Sequence, residues 1–112
     1  YSKAKLIQNY YKKKFDELFN QVDVILSPVS PVLPFKLGEK IDDPLQMYLA
    51  DQFTVIANLA RIPGMSVPSS FSSEGLPIGI QLLTKALNEP TMVQTAYWFE
   101  QTKNITQPKL KI

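Results

Sequence analysis

The sequence predicts an α/β fold of about three helices and two or three strands. Two observations carry that expectation. A stripe of apolar residues at three- and four-residue spacing opens the chain and is followed at once by a short β-branched run. Further on, a well-capped helix ends at a proline-glycine break and gives way to strand, turn and strand.

The first helix is expected from about Lys3 to Asn20, with Ile7, Tyr11, Phe15, Leu18 and Phe19 as its stripe and Leu6 and Tyr10 widening it. Val22-Asp23-Val24-Ile25-Leu26 is β-branched, apolar and short enough for a buried strand. Prolines at Pro28, Pro31 and Pro34 then recur at every third residue. Each fixes its own φ, so the segment suits an extended, polyproline-like path. It serves either as a recognition element for an aromatic groove or as a rigid connector over a core, and its apolar intervening residues favour the connector. Phe35 to Ile41 continues as a loop through Gly38.

The second helix starts with strong local chemistry. Asp43 can accept backbone hydrogen bonds as N-cap, Pro44 suits the first helical position, and Gln46 stands where a capping-box partner belongs. The pattern runs to about Ala60, with Leu45, Tyr48, Leu49, Phe53, Ile56, Ala57 and Ala60 facing the expected core. A second line, Met47, Asp51, Thr54 and Asn58, places three polar groups on one strip, and Asp51 is its one acid. Ile62-Pro63-Gly64 breaks the helix.

Met65 to Pro68 reads as a short strand, Ser72-Ser73-Glu74-Gly75 as a turn, and Ile78 to Thr84 as a second strand. Its faces carry Ile78, Ile80 and Leu82 on one side, and Gly79, Gln81 and Leu83 on the other. A glycine inside a strand implies that another group lies close over it. Asn88 can cap a third helix, with Met92, Val93, Ala96, Tyr97 and Phe99 on its buried side and an end near Lys103. The polar tail from Asn104 is expected to fray.

Composition narrows the chemistry. At 112 residues there is room for one domain. Hydrophobic residues make up 45% and charged residues 20%, which excludes the disordered class. A net charge of +2 is too small to argue for nucleic acid. The basic run Lys12-Lys13-Lys14 is offset by Asp16 and Glu17 and reads as a solvated helix face. With no cysteine and no histidine there is no disulfide framework, no thiolate or imidazole zinc site and no Ser-His-Asp triad within these residues. No apolar run approaches the roughly 18 residues of a membrane span, and no signal peptide is visible. The sequon-like Asn104-Ile105-Thr106 is a short motif without supporting context. The chain opens at Tyr1 within a helical pattern and without a methionine, which reads as a piece of a longer protein.

The run from Gly38 to Tyr48, with Asp42-Asp43-Pro44-Leu45-Gln46-Met47-Tyr48 at its heart, resembles the amidase signature family, as do Asp51 and Phe53-Thr54 after it. The similarity continues through Asn58-Leu59-Ala60, Pro63-Gly64, Ser66-Val67-Pro68, Gly75-Leu76-Pro77, Gly79, Gln81-Leu82 and Phe99-Glu100-Gln101. Upstream, Phe15-Asp16-Glu17 and Asp23 to Pro28 fit as well. Many separate blocks match in order across nearly the whole chain. Within the family the chain is most similar to the glutaminase subunits of tRNA-dependent amidotransferases.

The resemblance implies that residues 1–112 are the incomplete, C-terminal portion of one amidase domain, an α/β/α fold around a large mixed sheet. It implies amide hydrolysis by a nucleophilic serine, a bridging serine and a lysine base. None of these maps onto this chain, and the pair Ser69-Ser70 lacks their context. In the glutaminase subunits the amide is glutamine. The released ammonia passes to a partner subunit of a heterotrimer, where ATP and magnesium serve to amidate glutamate on Glu-tRNA(Gln). No cofactor and no membrane contact are expected for this chain. The compartment would be the cytoplasm, or a mitochondrion or plastid in a eukaryote.

One position carries over. Asp51 matches the aspartate that holds the α-amino group of substrate glutamine in those subunits. A carboxylate facing a semi-enclosed cleft pairs well with an ammonium and so distinguishes an amino acid from a plain amide. The bland alternative is an acid on a solvated helix face. Two other readings stay open: another amidase signature hydrolase acting on an uncharged amide, which has no ammonium to hold, and a stand-alone interaction module using the proline-rich segment. The chain departs from the family where Ser70 and Arg61 stand at common glycine positions and in lacking a histidine after the last helix. Those departures bear on local loop geometry.

Overall fold

A computed structural model describes residues 1–38, 43–103 and 105. Among them lie helices α1 (Ser2–Leu18), α2 (Pro44–Ala50), α3 (Val55–Ala60) and α4 (Glu89–Lys103) and strands β1 (Val24–Pro28), β2 (Gly64–Phe71) and β3 (Pro77–Thr84). The strands form one antiparallel sheet in the order β1-β3-β2. β3 is central because its sequence is suited to burial on both faces, and Gln81, Leu82, Leu83 and Thr84 are all buried. The expected α/β class holds, with four helices in place of about three.

Alternation along β3 splits the core in two. Leu82 packs with Val67, Met92 and Ala96, so α4 covers one face of the sheet. Leu83 points the other way and packs with Phe19, Ala60 and Ile62, so α1 and α3 cover the opposite face. Helices on both sides of a sheet give the layered α/β/α arrangement.

Both edge strands end beyond their apolar patterns; β1 is shifted two residues from the expected Val22–Leu26 and, as an edge strand, leaves Leu26 exposed where burial was expected. β1 reaches Pro28, paired with Ile80, and β2 reaches Phe71, with a register irregularity between Pro68 and Ser70. Proline is compatible with both because each strand has an open edge among the described residues, where no ladder donor is missed. The turn between β2 and β3 forms where expected. Ser72 Oγ accepts from the Glu74 and Leu76 amides at 3.3 and 3.1 Å, and Gly75 takes the positive φ of 81° that a side chain would disfavour.

The helix expected from Asp43 to Ala60 is two helices. Its start is as read: Asp43 Oδ1 accepts from the Gln46 amide at 3.2 Å, with Pro44 in the first turn. At residue 51 the ladder tightens. The Asp51 carbonyl accepts from the amides of Thr54 at 3.0 Å and Val55 at 3.1 Å, and from the Thr54 hydroxyl at 3.0 Å. The side-chain hydroxyl competes for the backbone acceptor, and the β-branched run Thr54-Val55-Ile56 resists uninterrupted helix. The apolar spacing continues through the break, which is why the sequence alone reads as one helix. α3 ends at Arg61, in left-handed conformation, with the Ile62 amide reaching back to the Ala57 carbonyl at 3.1 Å.

Several apolar faces expected to be covered are open. Leu45, Tyr48 and Leu49 of α2 are exposed, as are Ile7 of α1 and Val93 and Tyr97 of α4. On α4 the buried residues are Met92 and Ala96, with Phe99 partly buried against the same cluster. Asn88 works less directly than a simple cap: its side-chain oxygen accepts from the Thr91 hydroxyl at 2.8 Å. The basic run of α1 is a solvated face. Lys12 pairs with Asp16 and Lys14 with Glu17, each at 2.8 Å. The hydrogen bond and charge of Glu17 raise the Lys14 pKa, and the same contact lowers that of Glu17. The end of the loop at Ile41, most of the tail from Asn104 and most of the sequon-like motif lie outside the described residues. No described helix is long and apolar enough to cross a membrane.

Candidate functional site

Asp51 caps the C-terminus of α2, with φ −94° and ψ 0°, and its amide donates back into that helix. Its side chain is exposed, and among the described residues the carboxylate has no hydrogen-bond or ion-pair partner. The rest of the polar strip forms a chain of backbone contacts behind it. Thr54 donates its hydroxyl to the Asp51 carbonyl, and Asn58 Nδ2 donates to the Thr54 carbonyl at 3.3 Å. Asp51 therefore stands on a tight turn between two short helices, where one continuous helix was expected to carry it.

One residue ties that turn to the sheet. Gln81 of β3 is only 6% exposed. Its Nε2 donates to Ser27 Oγ of β1 at 3.0 Å and to the Phe53 carbonyl at 3.1 Å. Sequence reading placed Gln81 on a strand face and in a matching block without a role. The available signal was a long polar side chain in the otherwise apolar run Ile80 to Leu83.

A separate groove of about 620 Å³ lies between residues 29–35 and the β2-β3 hairpin. The proline segment forms one wall, and Ser66, Pro68 and Ile78 contribute to the other. Gly79 explains how close they come. A Cβ on it would stand 3.2 Å from both Val29 Cγ2 and Ser66 Oγ, the close overlying group that a glycine in a strand implied. Among the described residues no carboxylate, amine or guanidinium lines this groove, and Asp51 is not part of it. Ser69 falls at the irregularity of β2, and the Ser72 hydroxyl oxygen is taken up by backbone amides of the turn. Among the described residues no cluster of three or more Asp, Glu, His or Cys could hold a metal ion.

The sequence profile of the amidase family matches residues 1–93. The chain belongs to the amidase family. Its curated relatives include a subunit of the glutamyl-tRNA(Gln) amidotransferase of Desulfosudis oleivorans, 50% identical over 109 residues, a match covering 97% of this chain and 22% of that protein. The same subunit in a Nostoc species is 46% identical over 112 residues, covering 98% of this chain and 23% of the relative. Among solved structures, the corresponding glutamyl-tRNA(Gln) amidotransferase subunit from Thermotoga maritima superposes with a TM-score of 0.85 at 36% identity, over 94% of this chain and 24% of that one. The chain thus spans under a quarter of the length of these amidase relatives.

Membership of the amidase family gives the departures a geometric meaning. Arg61, expected from the resemblance to depart from a glycine position, has φ 56° and ψ 47°, the left-handed region that glycine enters without strain. Its guanidinium Nη2 donates to Gln8 Oε1 at 2.7 Å, joining α3 to α1.

Proposed function

We propose that these residues form the C-terminal part of the glutaminase subunit of a tRNA-dependent amidotransferase, one that acts on Glu-tRNA(Gln). Support comes from relatives named as subunits of the glutamyl-tRNA(Gln) amidotransferase, which align with nearly the whole chain at 46–50% identity. The observation that carries the reading here is the Asp51 carboxylate, exposed and without a partner among the described residues, on a turn fastened to the sheet. In this reading Asp51 receives the α-ammonium of substrate glutamine. The charge-assisted bond selects an amino acid over a plain amide.

Residues outside this stretch supply the nucleophilic and bridging serines, the lysine base and the group that holds the glutamine carboxylate. Ammonia leaves for a partner subunit of a heterotrimer, which binds ATP, magnesium and Glu-tRNA(Gln). The enzyme works in the cytoplasm, or in a mitochondrion or plastid of a eukaryote.

The test is Asp51→Asn in the full-length protein. The variant removes the charge, keeps the shape and leaves the backbone bonds of the turn in place. The KM for glutamine should rise, with a loss in kcat/KM worth about 2–4 kcal/mol for a charge pair broken at one partner. Thermal stability should stay close to wild type. Unchanged glutamine kinetics would remove Asp51 from the site.

A further inference from the structure

Gln81 is buried in the middle of the central strand, flanked by Ile80 and Leu82. A buried amide there is costly unless its polar atoms are satisfied. The orientation of this amide follows from its neighbours. The Phe53 carbonyl can only accept a hydrogen bond. Ser27 Oγ lies 3.3 Å from the Pro28 carbonyl and donates its proton there, so it also offers Gln81 a lone pair. Both partners demand N–H groups, and the two N–H groups of one Nε2 meet both demands.

The consequence concerns Asp51. Apart from this contact, the hydrogen bonds of the turn are local ones: the Thr54 amide and hydroxyl and the Val55 amide close on the Asp51 carbonyl. They shape the turn without placing it against the sheet. Packing of Ala57 and Ala60 near Leu83 seats α3 there. The bond from Gln81 to Phe53, two residues beyond Asp51 and 28 along the chain, is the hydrogen bond that fixes the turn itself to the central strand. A turn held at one backbone carbonyl by a rigid central strand fixes the backbone from which the Asp51 carboxylate projects, and so limits where that carboxylate can meet a substrate charge.

We propose that Gln81 is a positioning residue for substrate glutamine, acting through the Phe53 carbonyl to set where Asp51 meets the α-ammonium. The inference rests on the reading of Asp51 given above. Gln81→Met removes both donors at similar volume. Gln81→Asn keeps an amide in the core but is one methylene too short to reach both acceptors.

Steady-state glutaminase kinetics of the full-length protein test it, with glutaric acid monoamide, which lacks the α-amino group, as the second substrate. Either Gln81 variant should raise the KM for glutamine roughly tenfold, the worth of one well-made hydrogen bond. The kcat should hold within about twofold, and so should kcat/KM for the monoamide. In an Asp51→Asn background, Gln81→Met should add no further loss, because the group it positions is already disabled.

Equal losses on both substrates, or a loss that adds to that of Asp51→Asn, would mean a general structural role and overturn the proposal. An unchanged KM in a folded Gln81→Met or Gln81→Asn protein would overturn it as well. The two readings fail differently. An effect of Asp51→Asn with none at Gln81 defeats the positioning role alone, whereas no effect of Asp51→Asn defeats both.

Discussion

Gly64 and Leu83 are paired across β2 and β3, and a Cβ on residue 64 would stand 3.0 Å from Leu83 Cδ2. The same Cβ would stand 3.5 Å from Ala57 Cβ of α3. The contact to Ala57 is an ordinary one, so the missing side chain chiefly leaves room for the Leu83 side chain beneath α3.

Gly64→Ala in the full-length protein should destabilise it by about 1–3 kcal/mol through overpacking. Leu83 cannot yield easily, because it is buried among Phe19, Ala60 and Ile62. Thermal unfolding measures the change. A midpoint equal to wild type would show that Leu83 can move aside.

Arg61→Gly should act in the opposite direction. A non-glycine residue in the left-handed region is strained, and the bond to Gln8 is exposed and contributes little. A net gain of about 0.5–1 kcal/mol is expected once the greater unfolded-state freedom of glycine is included. Gln8→Ala alone should stay within about 0.5 kcal/mol of wild type. A lower midpoint for Arg61→Gly would show that the tie between α3 and α1 outweighs the strain.

The 112 residues on their own should release no ammonia from glutamine and should self-associate. In the function proposed above, the two serines and the lysine that break the amide lie outside these residues. Leu45, Tyr48 and Leu49 on α2 and Tyr97 and Trp98 on α4 are exposed, and the outer edges of β1 and β2 have no partner strand among the described residues. Such surfaces pair or aggregate when left open. Ammonia release and size-exclusion chromatography check the two halves. A monomeric, well-behaved chain would count against a place inside a larger domain.

What the sequence made legible was mostly local. The Asp43 cap, the turn through Gly75 and the β character of residues 78–84 all depend on groups within a few positions of each other. The break between α2 and α3 was hidden because the spacing of Leu49, Phe53 and Ile56 suits an unbroken helix equally well. The open faces of α2 and α4 were hidden for a related reason. An apolar stripe says that a face seeks cover, and it does not say which segment supplies it.

Sequence by itself determined the element types, the caps and turns, the family resemblance and the choice of Asp51 as the residue to watch. Tertiary structure decided where Asp51 stands: at a helix end, on a turn outside the apolar groove, and tied through Phe53 to a strand far along the chain. Capping and alternation are short-range and written in neighbouring side chains. The bond between Gln81 and the Phe53 carbonyl spans 28 residues and exists only once the sheet has been laid against α3.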